Sequence, residues 1–398
     1  MRFWHHAHWA LWGNSDLMAR SWGFYFDLLP NATSLAAHQG YAGARWLKML
    51  GLANPLLDGV GGARAIDVPW IGHDAPPPGV TGSLLLWDTA NVINPVLVWQ
   101  QPHVVWMADA QRLAANSSGG DAAARAVVAE LAPLVAATAD FMASFAFFNA
   151  TTGFYELGGP ILGGEEFIHG SAPQYYQTVK PVFESVYFAA MLDVANAWRE
   201  LRGLPRDARY DAVAAGLGGL SLDPAEDPPA YSFNVNAACC YVNKSACPPG
   251  RFGGRDACAV QSGHPMPAGI LGWLDGRRFN DRYGVDAAVA NATVRAIVER
   301  WGWASGGAWG WDMPLVAMAQ VRQRWTPEAS VATLLMNVSR NEYIRVGYNN
   351  FGTFLYLPGN GGTLLAVGMM AAGTRTSPRC NFPAAWEVAC EGFAAAFQ

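Results

Sequence analysis

Apolar residues recur at three- and four-residue spacing along most of the chain, and period-two alternation is scarce, which predicts helices joined by loops of very unequal length. The first helix is expected over 2–22. A break follows around Leu29-Pro30, and a second helix is expected over 32–50 with Asn31 as its cap. Residues 51–82 form a Gly/Pro-rich loop too long for a passive connector. Within 83–111, SLLLWDTANVINPVLVWQQPHVVWMADAQ, a helical pattern opens at WDTA. Further helices are expected over 121–148, 182–202, 206–217 and 285–301. The turn WGWASGGAWGWDMP feeds another to about Arg324, one more runs from Pro327 to about Arg340, and a loop containing LYLPGNGG leads into a last helix from Gly362 to Gly373. Some ten helices paired in this way predict an all-α chain, organised as an (α/α)6 toroid in which an inner ring of helices surrounds a funnel. No fixed-period repeat favours a short-repeat solenoid. Residues 219–284, dense in Pro, Gly and Cys, read as an excursion within one domain that covers 1–398.

Composition narrows the partners. With 52% hydrophobic and 14% charged residues, the 398-residue chain can bury a large core. A net charge of -5 argues against nucleic acid or an anionic membrane surface and suits a neutral substrate. The most apolar long stretch, 122–148, is interrupted by Arg125, Glu130 and Asp140, so no membrane span is expected. Seventeen Trp and 13 Tyr supply faces that stack on sugar rings, although most are expected to fill core. The opening MRFWHHAHWALWGN has no signal-like apolar core and reads as the middle of an amphipathic helix, so the chain is expected to be part of a longer protein.

Six N-x-S/T sequons, at Asn31, Asn116, Asn149, Asn243, Asn291 and Asn337, exceed the roughly two expected by chance and point to a secreted or endomembrane location. Six cysteines agree. Cys239, Cys240, Cys247 and Cys258 share a loop that lacks the C-x2-C pairing of zinc sites, so disulfides are expected there, and Cys380 is expected to pair with Cys390. His5, His6 and His8 resemble a metal cluster but have no acidic partner nearby and read as packing histidines.

Candidate chemistry centres on 154–188, FYELGGPILGGEEFIHGSAPQYYQTVKPVFESVYF. Glycines bracket the acidic pair Glu165 and Glu166, and apolar walls around a loop carboxylate favour its protonated form, as a general acid requires. Two further acids stand at helix starts beside tryptophan, Asp88 after Trp87 and Asp312 after Trp311. Each of these can bind substrate or cap its helix. Glu184 in the turn after Pro181 can cap or touch substrate. Gln100, Gln101 and His103 add polar groups to an apolar stripe, and Asn349, Asn350 and Asn360 can line a rim. Glycoside cleavage needs an acid for the departing oxygen and a base for water, roughly 6.5 to 9.5 Å apart if configuration inverts.

The segment LLLWDTANVINPVLVWQQPH resembles the Trp-Asp region of glycoside hydrolase family 65, and LGGPILGGEEF resembles its Gly-Pro-acidic loop. GARW, WQQPH, PVFESVYF, GWDMPLVAMA and YLPGNGG together resemble a group of six-hairpin glycosidase-like proteins, in preserved order from Gly43 to Gly373. The resemblance implies Glu166 as general acid, with Glu165 as competitor because GGEE departs from the usual loop. It implies Asp312 as the base that activates water, and sugar contacts from Trp87 and Asp88. The expected activity is hydrolysis of a glycosidic bond with inversion and without cofactor or metal. A disaccharide phosphorylase and a carbohydrate-binding toroid that has lost catalysis are the alternatives.

Overall fold

The structure is a computed structural model that describes residues 2–46, 51–52, 84–85, 96–157, 161–164, 180–223, 226–233, 264–276, 284–301, 303–306, 308–351 and 354–394. It is mostly helical, and its described strands form five two-stranded sheets. The helices are α1 (Arg2–His6), α2 (His8–Leu11), α3 (Ser15–Ala19), α4 (Trp22–His38), α5 (His103–Phe145), α6 (Val182–Leu201), α7 (Ala208–Gly216), α8 (Ala287–Glu299), α9 (Trp303–Gly306), α10 (Asp312–Arg322), α11 (Pro327–Leu334) and α12 (Leu357–Ala372). A 3-10 turn, Met266–Ile270, lies between α7 and α8.

Local chemistry accounts for several boundaries. Asp207, Asp286 and Thr326 accept hydrogen bonds from the first N–H groups of α7, α8 and α11, with Pro327 seated where no N–H is needed. In α5, Gly120 adopts φ 69°, so the helix stops and restarts at Asp121, the start the sequence predicts. The rest of that prediction changes: Phe147–Asn149 is a strand paired with Phe154–Glu156, so α5 ends at Phe145.

Three other expectations are corrected. The 2–22 helix is three short helices, broken at residues 12–14 where Gly13 takes φ 69°. Pro30 does not break the chain, because α4 runs through it from Trp22 to His38, and Asn31 lies inside that helix instead of capping one. Burial of Trp22, Tyr25, Leu28, Ala32 and Leu35 on one face holds α4 together against the one hydrogen bond that Pro30 removes. LYLPGNGG is not a loop before the last helix, since α12 begins at Leu357 and takes Pro358 into its first turn.

Six segments run side by side in one direction. His103 and Asp109 of α5 meet Tyr187 and Trp198 of α6. Phe183 and Tyr187 pack on Gly269 and Trp273. His264 binds Asp312, and eight residues on, the Gly272 carbonyl accepts from Arg322 Nε at 2.6 Å. Trp311 and Pro314 pack on Gly362, while Trp12 Nε1 donates to the Leu364 carbonyl at 2.8 Å. Phe3 of α1 stacks on His103 with ring centres 4.3 Å apart. Between these segments lies an aromatic core in which Phe3, Trp4, Trp99, Phe183, Tyr187, Trp273 and Trp311 are all buried. The second half of α5 packs against α4 and α7, where Tyr210 donates to Asp140 at 2.8 Å.

By length and composition α5 is also apolar enough to cross a membrane, but Gly120 interrupts it and 61% of its most apolar stretch is buried inside the protein. The Cys380–Cys390 disulfide forms as expected and closes a C-terminal excursion whose Ala394 N–H donates to the Leu11 carbonyl. The other four cysteines lie outside the described residues.

His8 is buried in α2 with neither ring nitrogen hydrogen-bonded. Burial, then the neighbouring His6, lowers its pKa from 6.5 to about 4. Between these values the unfolded chain binds the proton more readily, so acidification destabilises the fold. Stability is expected to fall by up to about 3 kcal/mol as pH drops from 6.5 through 4. Urea unfolding of wild type and His8→Leu across that range checks this: the variant should lose that component of the slope, and equal slopes would refute it.

Candidate functional site

The first turns of α6 and α10 face the residues just before the 3-10 turn, and the chemistry-bearing side chains gather there. Pro181 starts α6, and Glu184 in its first turn is 1% exposed. Glu184 neither caps its own helix nor reaches solvent: its Oε1 accepts the backbone N–H of Gly164. The close approach needs glycine, because a Cβ at 164 would lie 2.8 Å from Met266 Cγ and 3.2 Å from Glu184 Oε1. Gly164 immediately precedes Glu165 and Glu166 in sequence, so Glu184 fixes the chain at the entrance to the acidic loop. Glu165 and Glu166 themselves lie outside the described residues, as do Trp87 and Asp88.

Asp312 is the first residue of α10 and is 0% exposed. Its Oδ1 meets His264 Nδ1 at 2.8 Å and its Oδ2 accepts the Trp309 N–H at 2.7 Å. The Asp312 N–H returns a bond to the Trp309 carbonyl, so the AWGWD turn closes on itself. Asp312 does more than cap, because its carboxylate ties the turn to an imidazole 48 residues earlier. Helix N-termini carry partial positive charge, and two of them here hold a buried carboxylate. His264 lies against Trp311, ring centres 4.1 Å apart, and 5.9 Å from Trp309.

Trp311 is not a platform open to a sugar. It is 1% exposed, with Trp4 and Trp99 stacked on it at 4.8 and 5.9 Å. The polar side chains of WQQPH are likewise buried. Gln101 spends its amide on Trp46, accepting from the backbone N–H at 2.9 Å and donating to the carbonyl at 2.5 Å, so GARW and WQQPH clamp each other. Gln100 Nε2 reaches the same carbonyl at 3.4 Å, while its Oε1 is buried without a hydrogen bond. His103 Nδ1 is paired with the Tyr187 hydroxyl at 2.8 Å and its Nε2 has no hydrogen-bond partner. Burial pushes the His103 pKa well below the ordinary imidazole value and that of Tyr187 well above the ordinary phenol value, so both stay neutral near pH 7.

Asn360 is committed to the loop before α12. Its Oδ1 accepts the Asn349 N–H at 2.9 Å and its Nδ2 donates to the Gly347 carbonyl at 2.7 Å. Asn349, fully buried, donates to the Arg340 and Glu342 carbonyls and presses its amide on Gly310 and Gly359. Asn350 lies in a two-residue strand paired with Phe354–Leu355. The amides of Asn349 and Asn360 therefore brace the loop before α12.

His264 and Tyr187 are the site residues that the sequence did not single out. His264 sits in GHPMP within the region read as an irregular excursion, and Tyr187 reads as one apolar position among many in PVFESVYF. A histidine next to Pro at the end of a cysteine-rich stretch was the available signal. Among the described residues no group of three or more His, Cys, Asp or Glu side chains is arranged to hold a metal ion. No protein-family model and no curated protein matches the chain.

Proposed function

We propose that the protein is a secreted or luminal glycoside hydrolase of the six-hairpin type, built on an (α/α)6 toroid and acting with inversion of configuration. The toroid is supported by the order in which the six parallel segments touch. Contacts pass from α1 to α5, α6, the 3-10 turn, α10 and α12, and then return to α1 and α2. One observation carries the activity: Met266 lies against Gly164, the anchor of the acidic loop, and its N–H donates to the carbonyl of His264, the partner of the buried Asp312.

In this reading Glu166 protonates the departing oxygen, with Glu165 beside it, since two close carboxylates raise one pKa of the pair. Asp312 takes the proton from water, and His264 with the Trp309 N–H fixes its carboxylate in one orientation. Trp87 and Asp88 hold the sugar. A second reading, a sugar-binding toroid without turnover, is favoured by the burial of Asp312 and the engagement of both its oxygens.

A panel of α- and β-linked disaccharides and aryl glycosides, incubated with and without inorganic phosphate, separates these readings. Hydrolysis predicts free sugar from at least one substrate without phosphate. Turnover that requires phosphate indicates a phosphorylase, and a sugar that binds calorimetrically but is never cleaved indicates the silent toroid.

A further inference from the structure

The hairpin that follows α5 leaves large apolar side chains uncovered. Phe147 is 47% exposed and Phe148 57%, on a strand whose partner carries Phe154, 37% exposed. Strand geometry puts Phe147 and Asn149 on one face, with Phe154 directly across from Asn149 and Glu156 across from Phe147. Lys180 Nζ lies 4.8 Å over the Phe154 ring, and Gly218 and Gly219 pack on its edge. Phe148 turns to the other face and meets Tyr155 at 5.4 Å. Phe147 is therefore an uncovered ring on the face that carries Asn149.

Asn149 opens the sequon Asn149-Ala150-Thr151 at the hairpin tip. Its Oδ1 accepts the Thr151 N–H at 3.0 Å, and the turn closes with the Gly153 N–H on the Asn149 carbonyl at 2.8 Å, Gly153 taking φ 73°. The amide oxygen is thus engaged in the turn, Thr151 is exposed, and the Asn149 side chain reaches toward the carboxylate of Glu156, the residue directly across from Phe147. The other described sequons are less suited. Asn31 and Asn116 lie within helices, and the sequon threonine of Asn291, Thr293, is buried and bonded to Val289 and Tyr231. Asn337 is exposed in a loop but has no comparable ring two residues before it, where Leu335 stands.

We propose that Asn149 is an N-glycosylation site whose first sugar, an N-acetylhexosamine, lies with its apolar C–H face on the ring of Phe147. The donor is a lipid-linked oligosaccharyl diphosphate. Asn149 Nδ2 forms a bond to C1 of the sugar while the C1–O bond to diphosphate breaks, and the Nδ2 proton leaves with the lipid diphosphate. The glycan covers an apolar patch that would otherwise face water, and its stacking adds to the stability of the hairpin. The inference rests on the secretory location proposed above and not on the glycosidase activity.

The test expresses the full chain behind a cleavable secretion signal in eukaryotic cells and maps glycopeptides by mass spectrometry after enzymatic release of N-glycans. Occupancy at Asn149 should exceed that at every other described sequon, and Thr151→Ala should remove one glycan while keeping the Asn149 side chain. Melting of the glycosylated protein should exceed that of the Thr151→Ala form by about 2 °C, and Phe147→Ala should erase this increment while leaving Asn149 occupied. A bare Asn149 with other sequons occupied overturns the site. A chain unmodified at every sequon overturns the location as well, and an increment insensitive to Phe147→Ala overturns the stacking.

Discussion

Asp312→Asn is expected to lower kcat by about 10³-fold while leaving the protein folded. The substitution keeps the shape of the side chain, and its polar contacts have an alternative arrangement. The amide oxygen accepts the Trp309 N–H, and the new NH2 group donates to His264 Nδ1 once the imidazole moves its proton to Nε2. Buried donors therefore stay paired, whereas Asp312→Ala leaves both without an acceptor and costs about 3 kcal/mol. What the asparagine cannot do is take a proton from water. Steady-state kinetics with the best glycoside, together with urea unfolding, separates the two effects. Unchanged kcat in a stable Asp312→Asn variant would remove Asp312 from the chemistry. Glu166→Gln and Glu165→Gln assayed alongside identify the acid by which of them loses turnover.

Gly361→Ala is expected to destabilise the fold by about 4 kcal/mol or more, among the largest effects of any single methyl group here. A Cβ at 361 would sit 1.6 Å from the Trp4 carbonyl oxygen and 3.2 Å from His5 Cα. Both obstacles are backbone, so neither can rotate away, and α12 must retreat from α1. That retreat opens the aromatic core, because Trp4 touches Trp273 and Trp311 at 5.0 and 4.8 Å. Gly23→Ala, at a helical glycine with nothing within 4 Å of the added carbon, is the control and should leave stability unchanged or raise it by up to about 1 kcal/mol. Equal unfolding midpoints for the two variants would contradict the close packing of α1 on α12.

These two residues bracket what could be read from the chain. The helices with one long apolar face, α6 above all, were legible, as was the restart at Asp121 and the Cys380–Cys390 pair, since periodicity, a glycine and a short cysteine spacing are local signals. Pro30 misled because its local cost is outweighed by burial along the rest of α4, which is a tertiary effect. YLPGNGG misled for the converse reason. Its glycines look like a loop, yet Gly359 and Gly361 are there to let Asn349 and the Trp4 carbonyl approach a helix. Gln100, Gln101 and His103 stood out as polar residues in an apolar stripe and Asn360 as a rim candidate, and the sequence could not tell a group that meets substrate from one that ties two segments together. His264 escaped notice because its partner lies 48 residues away on another segment.

The proton NMR spectrum of the first-formed sugar, recorded on wild type before mutarotation with the best substrate of the panel, tests inversion most directly. An acid and a base acting on opposite faces of the sugar predict a free product whose anomeric configuration is opposite to that of the bond cleaved. Retention, or a sugar 1-phosphate formed only when phosphate is present, would contradict the roles given to Glu166 and Asp312.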